Sequence, residues 1–541
     1  MIKTRLTKDF IFLLIPLILS SYTHLWNPIG FPAIHPDEGV YMRRAMLVMK
    51  NLGPYDPAAH FDHPPATSSS SYDHPFFGQI FLAGALALIG YPHSLNPSPD
   101  LHSIEMLYIV PRILMGLLAV LDTFLVYKIA EYRHGRNVAL FSSVIFAVMP
   151  LSWLLRRILL DSILLPFLLA SILLAIYIKR RKNLHDVHTN DNNSSSSSIK
   201  IPIILLSGIL LGLAIYTKIP AFTMIPLVGF LVYTNSNKSL KALGLWFLPV
   251  ILIPAMWPVY SISAGQFDEW INGVLWQGTQ RNDTDTGITD IKINEIFRAD
   301  PVLLVLGSAG IVICALRKDI TYLIWVIPYV LFFVLIGWVI LFHWIPILPA
   351  FCIGIALAIE KAAHRISKTR VVSNVIQSAS ILAIAIFGLV STTMLITSNF
   401  SSSEFEAAAF VSGYLQNQSY DNDTQKSHDN GTFLITSPIY SWIFKYVFDR
   451  DLVSSHIRDP ALNQTEKRIL MADGVYQSFI SKEDQEDKQQ FKQIKNLYEY
   501  SPTLARFDTD NNYYKIVKNF YPFTSIIGYS WAKPIVIKAN Y

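Results

Sequence analysis

"FIFLLIPLILSSYTHLWNPIGFPAIHPDEGVYMRRAM", residues 10–46, sets an apolar run directly beside two adjacent carboxylates, Asp37 and Glu38. The apolar part follows Lys3, Arg5 and Lys8 and is long enough to read as a membrane-spanning helix. It has the basic flank of a signal peptide but no clear small-residue cleavage site, so it reads as an uncleaved first helix. Helix capping accounts for the acids in a plain way. Pro36 suits a first helical turn, and carboxylates there complement the positive end of the helix dipole. Whether the acids do more depends on what else faces their side of the bilayer.

The rest of the chain repeats the apolar theme. Of its 541 residues 52% are hydrophobic and only 15% charged, and the mean hydropathy is +0.36. The apolar residues are bunched into runs rather than spread in amphipathic patterns, which specifies a polytopic α-helical membrane protein. The net charge of +5 then carries topology and does not indicate a nucleic-acid partner. The two cysteines, Cys314 and Cys352, both fall in apolar segments, so neither a disulfide framework nor a zinc cluster is expected.

Basic clusters mark the cytoplasmic side. They lie at Lys3–Lys8, Lys128–Arg136, Lys179–Lys182, Lys238–Lys241, Arg317–Lys318 and Lys361–Arg370. Candidate spans are 10–26, 108–128, 137–152, 162–178, 201–217, 219–234, 242–262, 301–316, 320–341, 344–360 and 375–397. That predicts about eleven crossings in a membrane domain of residues 1–397, with the N-terminus cytoplasmic. The run "FFGQIFLAGALALIGY", residues 76–91, would upset this count if it spanned. It is short and flanked by Pro75 and Pro92, and it reads as an interfacial helix within a first external loop of residues 27–107.

Two regions depart from the apolar pattern. Residues 180–200 include "DVHTNDNNSSSSSIK", a low-complexity cytoplasmic loop expected to be disordered. From residue 398 to 541 the composition turns polar. "GTFLITSP" and "YYKIVKNF" read as strands and "KEDQEDKQQFKQIKNL" as a charged helix, so this segment is expected to be a small extracytoplasmic α/β domain. Glycosylation sequons at Asn399, Asn417, Asn422, Asn430 and Asn463 suit that side, although Asn192, Asn193 and Asn237 fit the same pattern in loops placed in the cytoplasm.

Orientation gathers scattered polar residues on one face. The outer side receives Asp37, Glu38, Asp73 and His74, then Arg112 at the outer end of the second span. "PLSWLLRRILLDS" adds Arg156, Arg157 and Asp161; "GLAIYTKIP" adds Lys218, and "ILFHWIPILP" adds His343. Taken singly, the cations could snorkel to lipid phosphates and His343 could cap an interface. Charges at membrane depth are costly and usually face a cavity where they partner one another. Their agreement in side predicts a polar external active site. No nucleotide sugar is available outside a cell, so glycosylation there needs a sugar activated on a lipid. Arg and Lys would hold the anionic phosphate of such a donor, and a carboxylate would take the proton of an acceptor hydroxyl.

These residues also carry a family resemblance. "RRILLDSILLPF", residues 156–167, resembles the Arg-x-Ile-Leu-Leu-Asp-Ser segment of dolichyl-phosphate-mannose protein mannosyltransferases. "PDEGVYMRRAM" is similar to the Asp-Glu of their first external loop, and "YDHPFFGQI" to the His-Pro-Pro-Leu stretch they share with bacterial aminoarabinose transferases. "GLAIYTK" and "FHWIPILPAF" resemble their later Lys-ended helix and Tyr/His turn, so five motifs fall in family order over residues 10–360. The resemblance implies the fold of the C-type glycosyltransferase superfamily (GT-C) and transfer of a hexose, mannose first, from a polyprenyl phosphate with inversion. The acceptor would be protein Ser/Thr, lipid or glycan.

The resemblance implies Asp37 as catalytic base with Glu38 in support, and Arg112 with Lys218 on the lipid phosphate. It puts Asp161 near the sugar, or with Asp37 on a divalent metal of the kind some relatives hold. His74, Arg156 and His343 join the substrate-binding set. Pro75-Phe76-Phe77 departs from the family's Pro-Pro-Leu, and a second "DHPP" at 62–65 fits that motif too. The carbohydrate-binding insert of eukaryotic protein mannosyltransferases has no counterpart. An oligosaccharyltransferase of the same superfamily is the nearest rival, but its Trp-Trp-Asp triplet does not occur. A secondary transporter would set charges at the midplane and repeat its halves; no repeat is visible here.

Overall fold

The computed structural model describes residues 2–56, 72–178, 201–279, 297, 299–336, 340–420, 431–455, 467–480, 489–508 and 533–540. Helix α1 (Ile2–Leu25) leads into an irregular turn and then α2 (Pro36–Met49). A short α3 (Phe77–Ala87) precedes the long α4 (Leu101–His134), α5 (Arg136–Val148) and α6 (Leu160–Tyr177). After these come α7 (Ile201–Thr217), α8 (Ile225–Asn235), α9 (Leu240–Ser263), α10 (Phe267–Thr279), α11 (Pro301–Leu316) and α12 (Thr321–Ile336). Helices α13 (Leu348–Ile366) and α14 (Arg370–Ile396) close the apolar part.

Every predicted span overlaps a helix, but the expected eleven crossings are not all of spanning length. Among the described residues five helical segments are long and apolar enough to cross a membrane: Leu101–His134, Leu160–Tyr177, Leu240–Ser263, Leu341–Ile366 and Arg370–Ile396. A sixth is reached if the pair Arg136–Val148 and Pro150–Arg156, bent by 69°, counts as one span. Proline explains the bend, since Pro150 cannot donate the backbone bond that would continue α5. Pro220 likewise opens a 3₁₀ turn (Ile219–Met224) ahead of α8, splitting the predicted span 219–234. Helix α3 has 11 residues. At about 1.5 Å per residue that falls well short of the roughly 30 Å bilayer core. It packs on α2, α6 and α7.

The packing is built on small residues. A Cβ on Gly310 of α11 would lie 2.3 Å from the Gly354 carbonyl carbon of α13, so the two backbones meet there with nothing between them. One apolar core unites α4 to α9 with α11 to α14. A second core joins α2, α3 and α4 to the C-terminal region.

That region begins with α15 (Ser402–Tyr420) and forms a five-stranded sheet. Its strands are β1 (Thr432–Thr436), β2 (Val453–Ser454), β3 (Lys467–Ala472), β4 (Thr503–Phe507) and β5 (Ile535–Asn540), in the order β2-β1-β3-β5-β4. Strand β1 runs parallel to β2 and β3, while β5 is antiparallel to β3 and β4. All five residues of β1 are buried, as expected of a central parallel strand covered on both faces. The predicted strand in "GTFLITSP" is β1. Helix α16 (Pro438–Trp442) follows it, and α17 (Gly474–Ile480) follows β3. The charged helix is α18 (Gln489–Tyr500), while the predicted strand in "YYKIVKNF" and the low-complexity loop 180–200 lie outside the described residues.

Candidate active site

The site starts from the cap of α2. His35 is the N-cap residue: its Nδ1 accepts the Asp37 backbone N–H at 3.2 Å, while Glu38 Oε1 accepts the His35 N–H at 2.9 Å. This reciprocal box fixes the first turn and sends the two acids in different directions. Glu38 turns inward and is fully buried. Arg112 of α4 donates to it through Nε at 2.9 Å and Nη2 at 2.7 Å, and the Ile158 N–H donates at 3.1 Å. Burial alone would raise the Glu38 carboxyl, but the Arg112 charge and hydrogen bond, then Arg157 and the His35 N–H, hold it below the usual range. Asp37 turns outward, with a quarter of its side chain exposed (25%).

Three arginines lace the segment that carries these acids. Arg112 Nη1 also donates to the Pro28 and Pro32 carbonyls at 2.9 and 2.8 Å. Arg156 donates to the Trp26 carbonyl and, at 2.7 Å, to that of Asn27. Arg157 donates to the Ala33 carbonyl at 3.1 Å, and its guanidinium lies 5.0 Å from the Trp153 ring. Arg112 and Arg156, expected on the donor, are therefore not among the residues that line the cavity described next. A buried guanidinium needs acceptors on its several N–H groups, and here the backbone of residues 26–33 and Glu38 supply some of them.

Asp37 opens into a cavity of about 230 Å³. His74, Lys218 and His343 share its wall with Asp37, so four of the sequence candidates meet there. Much of the remaining lining is apolar and includes Trp257, Phe332, Phe333, Ile336 and Ile340. Asp161 stands one contact behind: Lys218 Nζ donates to its Oδ2 at 2.6 Å, with both side chains at most 5% exposed. Lys218 also lies 4.8 Å from the centre of the Phe342 ring. His343 caps its own turn, its Nδ1 accepting the Ile340 N–H at 3.4 Å, and stacks on Phe333 at 4.4 Å. The described "YDHPFF" stretch delivers His74 to the cavity; the rival "DHPP" at 62–65 lies outside the described residues.

A divalent metal between Asp37 and Asp161 does not fit this arrangement. The Lys218 ammonium already occupies the side of Asp161 where such an ion would act as counter-charge. Among the described residues, no group of three or more His, Cys, Asp or Glu side chains is disposed to hold a metal.

Sequence reading passed over the second half of α2. Tyr41 lines the cavity beside Asp73. Arg44 pairs with Asp73 at 2.8 Å, and Arg43 pairs with Asp56 at 2.7 Å. The signal was the Arg-Arg of "YMRRAM", two arginines on a largely buried helix that must each find a carboxylate.

Known proteins share this architecture. ArnT from Cupriavidus metallidurans in the apo state superposes with a TM-score of 0.52 at 11% identity, covering 99% of this chain and 98% of that one. The same ArnT bound to undecaprenyl phosphate gives 0.51 at 12% identity, covering 98% of each chain. The chain carries the GT-C fold. The apo oligosaccharyltransferase of Archaeoglobus fulgidus shares the GT-C fold with a TM-score of 0.51 at 12% identity, covering 86% of this chain and 69% of that one. The dolichyl-phosphate-mannose-protein mannosyltransferase family model matches residues 67–257. That stretch contains His74, Arg112, Arg156, Asp161 and Lys218 but stops short of Asp37 and Glu38 on one side and His343 on the other. No protein of curated function matches the sequence.

Proposed function

We propose that the chain is a membrane glycosyltransferase that moves a sugar from a polyprenyl-phosphate donor to an acceptor outside the cytoplasm. The observation that carries this reading is the composition of one cavity. A part-exposed carboxylate, Asp37, shares it with Lys218, His74 and His343 and with a largely apolar remainder of the lining. A lipid-linked sugar phosphate has those three demands: a cation for the phosphate, polar groups for the sugar, and an apolar surface for the first isoprene units. In the reaction, the acceptor oxygen bonds to the anomeric carbon as the bond from that carbon to the phosphate oxygen breaks. Polyprenyl phosphate leaves with the electron pair, held by Lys218, and the hydroxyl proton passes to Asp37. Attack opposite the leaving phosphate inverts the anomeric centre. Glu38, Arg112, Arg156 and Arg157 hold the segment that presents Asp37.

The GT-C fold and the mannosyltransferase family match support a lipid-phosphate donor, with mannose as the first sugar to try. ArnT is described with undecaprenyl phosphate, and the Archaeoglobus enzyme AglB with a dolichol-phosphate. The likeness to the Archaeoglobus oligosaccharyltransferase supports a second reading, in which a whole oligosaccharide moves in one step. Counting the shorter apolar helices as crossings and α3 as interfacial gives about eleven spans. With the basic clusters read as cytoplasmic, such a count supports an N-terminus in the cytoplasm and a sheet region outside, on the side of the cavity. The test is to incubate membranes containing the protein with radiolabelled polyprenyl-phosphate mannose, other polyprenyl-phosphate hexoses and lipid-linked oligosaccharide. Label entering protein, lipid or glycan from a monosaccharide donor supports the main reading, and label from the oligosaccharide donor alone supports the second. No transfer from any of them sinks both.

A further inference from the structure

At the end of the bundle away from the Asp37 cavity, three turns bring cations together. Arg133 lies on the same helix as Arg112, about 30 Å further along by helical rise, which is the depth of a bilayer core. Its Nη2 donates to the two Asp319 carboxylate oxygens at 2.9 and 3.0 Å, and to Thr321 Oγ1 at 2.9 Å. That ties the turn between α4 and α5 to the turn between α11 and α12. Helix α11 also meets α13 backbone to backbone at Gly310 and Gly354, which carries the turn between α13 and α14 to the same end. Cys314, near the end of α11, feels the charges of Arg133, Arg317 and Lys361, one from each of these places.

Acids at this end are few and mostly engaged. Asp319 is taken by Arg133, and Glu131 by Lys128 at 2.8 Å. Glu360, half-buried on α13, is the one carboxylate left among the described residues of these turns. The cations are not balanced in the same way. Arg317 and Lys318 in one turn, and Arg365, Lys368 and Arg370 in the other, are exposed. Among the described residues none of their side chains has a hydrogen-bond or ion-pair partner. Apolar side chains stand out of the fold beside them: Leu316 is 74% exposed, Ile366 71% and Val371 70%. Topological sorting explains why cations lie on this side, but not why two turns pool them without acids. Like charges gathered in water repel one another. At a membrane surface the same arrangement is favourable, with apolar side chains among acyl chains and cations level with the phosphates.

We propose that the α11–α12 and α13–α14 turns form one binding surface for an anionic phospholipid. Its headgroup phosphate lies among Arg317, Lys318, Arg365, Lys368 and Arg370, and its acyl chains run along Leu316, Ile366 and Val371. Guanidinium groups match phosphate oxygens two at a time, and the ammonium groups add charge. A free phosphate would use the cations alone; the exposed apolar side chains next to them select the lipid. With the basic clusters read as cytoplasmic, this surface meets the leaflet whose anionic lipids attract polybasic segments. The inference does not rest on the glycosyltransferase reading.

The experiment uses the full-length protein in a neutral detergent, titrated with dioleoylphosphatidylglycerol or dioleoylphosphatidylcholine while bound lipids are counted by native mass spectrometry. Phosphatidylglycerol should bind more tightly than phosphatidylcholine, and added salt should weaken it. A cation near a membrane surface is worth about fivefold in affinity. The double variants Arg317→Gln/Lys318→Gln and Arg365→Gln/Lys368→Gln should therefore each lose on the order of twenty-fold for phosphatidylglycerol. Lys238→Gln/Lys241→Gln removes two exposed cations from a different turn and should bind as wild type does. Equal affinity of the wild type for both lipids overturns the proposal. So do turn variants that bind like wild type, or a Lys238→Gln/Lys241→Gln variant that loses as much as they do. Glycerophosphoglycerol, the headgroup without acyl chains, should not displace the lipid at matching concentration; displacement would assign the surface to soluble phosphates and overturn the lipid. If neither turn variant purifies folded, the wild type decides. A preference for phosphatidylglycerol that weakens with salt supports the surface, and no preference, or one indifferent to salt, overturns it.

Discussion

Lys218 Nζ and Asp161 Oδ2 stand 2.6 Å apart although 57 residues separate them in sequence, and both are buried at the edge of the Asp37 cavity. A buried pair of this kind holds two jobs that mutation can separate. Removing one partner strands the other charge, at a cost of about 3–5 kcal/mol. Lys218→Gln alone should therefore lower thermal stability and also lose the phosphate contact, worth roughly 1.5–3 kcal/mol or ten- to a hundred-fold in donor use. The double variant Asp161→Asn/Lys218→Gln removes both charges together. Its melting temperature should recover toward wild type while transfer stays low. Recovery of transfer along with stability would reduce Lys218 to a structural cation.

Asp37 and Glu38 are neighbours with opposite fates, and conservative amides read them apart. Asp37→Asn leaves the His35 cap in place, because Asp37 is not the capping residue, and gives up only a charge–dipole interaction of about 0.3–1 kcal/mol. It should insert, fold and bind donor normally, yet lose roughly a hundred- to ten-thousand-fold in transfer, the usual worth of a general base. Glu38→Gln breaks the ion pair with Arg112 in a fully buried setting. That variant should lose stability first, by about 3–5 kcal/mol. Near-normal transfer by Asp37→Asn would remove the proposed base.

How much of this was legible beforehand follows from the physics of each feature. Apolar helices are read from composition, so α7 and α11 fall on residues 201–217 and 301–316 as expected. The bend at Pro150 and the turn at Ile219–Met224 depend on where a freed backbone carbonyl finds a substitute partner, which a run of apolar letters does not encode. The gathering of Asp37, His74, Lys218 and His343 in one cavity was legible because topology alone sorts charges by side. That Arg112 turns to Glu38 and not to the cavity was not legible, for a related reason. Topology gives the side of the membrane but not the direction of a side chain, and Glu38 was the nearer anion. The seat of α16 on α2 was invisible, since it joins segments about 400 residues apart through backbone atoms.

His35 makes the site sensitive to acid. To accept the Asp37 N–H at Nδ1, its ring must be unprotonated at that nitrogen. Burial lowers its pKa; Asp37 and Glu38 oppose this and Arg157 adds to it, and the net shift is downward from 6.5. For a histidine shifted this way the stabilisation is complete above the ordinary value and is lost as pH falls from there through the folded-state pKa. Transfer should thus fall on the acid side of about pH 6.5, more steeply than Asp37 alone would cause. His35→Asn, which caps well and does not titrate, should keep neutral-pH transfer and flatten that limb. An unchanged acid limb in His35→Asn would assign it to another group.

Gly39 sits two residues after Asp37, and a Cβ there would lie 2.0 Å from the Pro438 carbonyl oxygen and 2.4 Å from its carbon. Both atoms are backbone, so no side-chain rotation relieves the clash, and α2 and α16 must move apart. Other contacts resist that movement. Tyr108 donates to the Ile439 carbonyl at 2.6 Å, Trp442 donates to Tyr108 at 3.1 Å, and Arg43 donates to Ser455 at 3.2 Å. Gly39→Ala should therefore cost about 1–3 kcal/mol of stability, as overpacking does. A shift of roughly 1 Å at Asp37 should lower kcat on the order of a hundred-fold. Donor KM should change little, because Lys218 and the apolar wall belong to other helices. Gly413→Ala is the control: it lies in α15 with nothing within 4 Å of a new Cβ, and alanine there should be neutral or stabilising by up to about 1 kcal/mol. If Gly39→Ala matches Gly413→Ala in melting temperature and in kcat, the sheet region does not set the position of the catalytic helix.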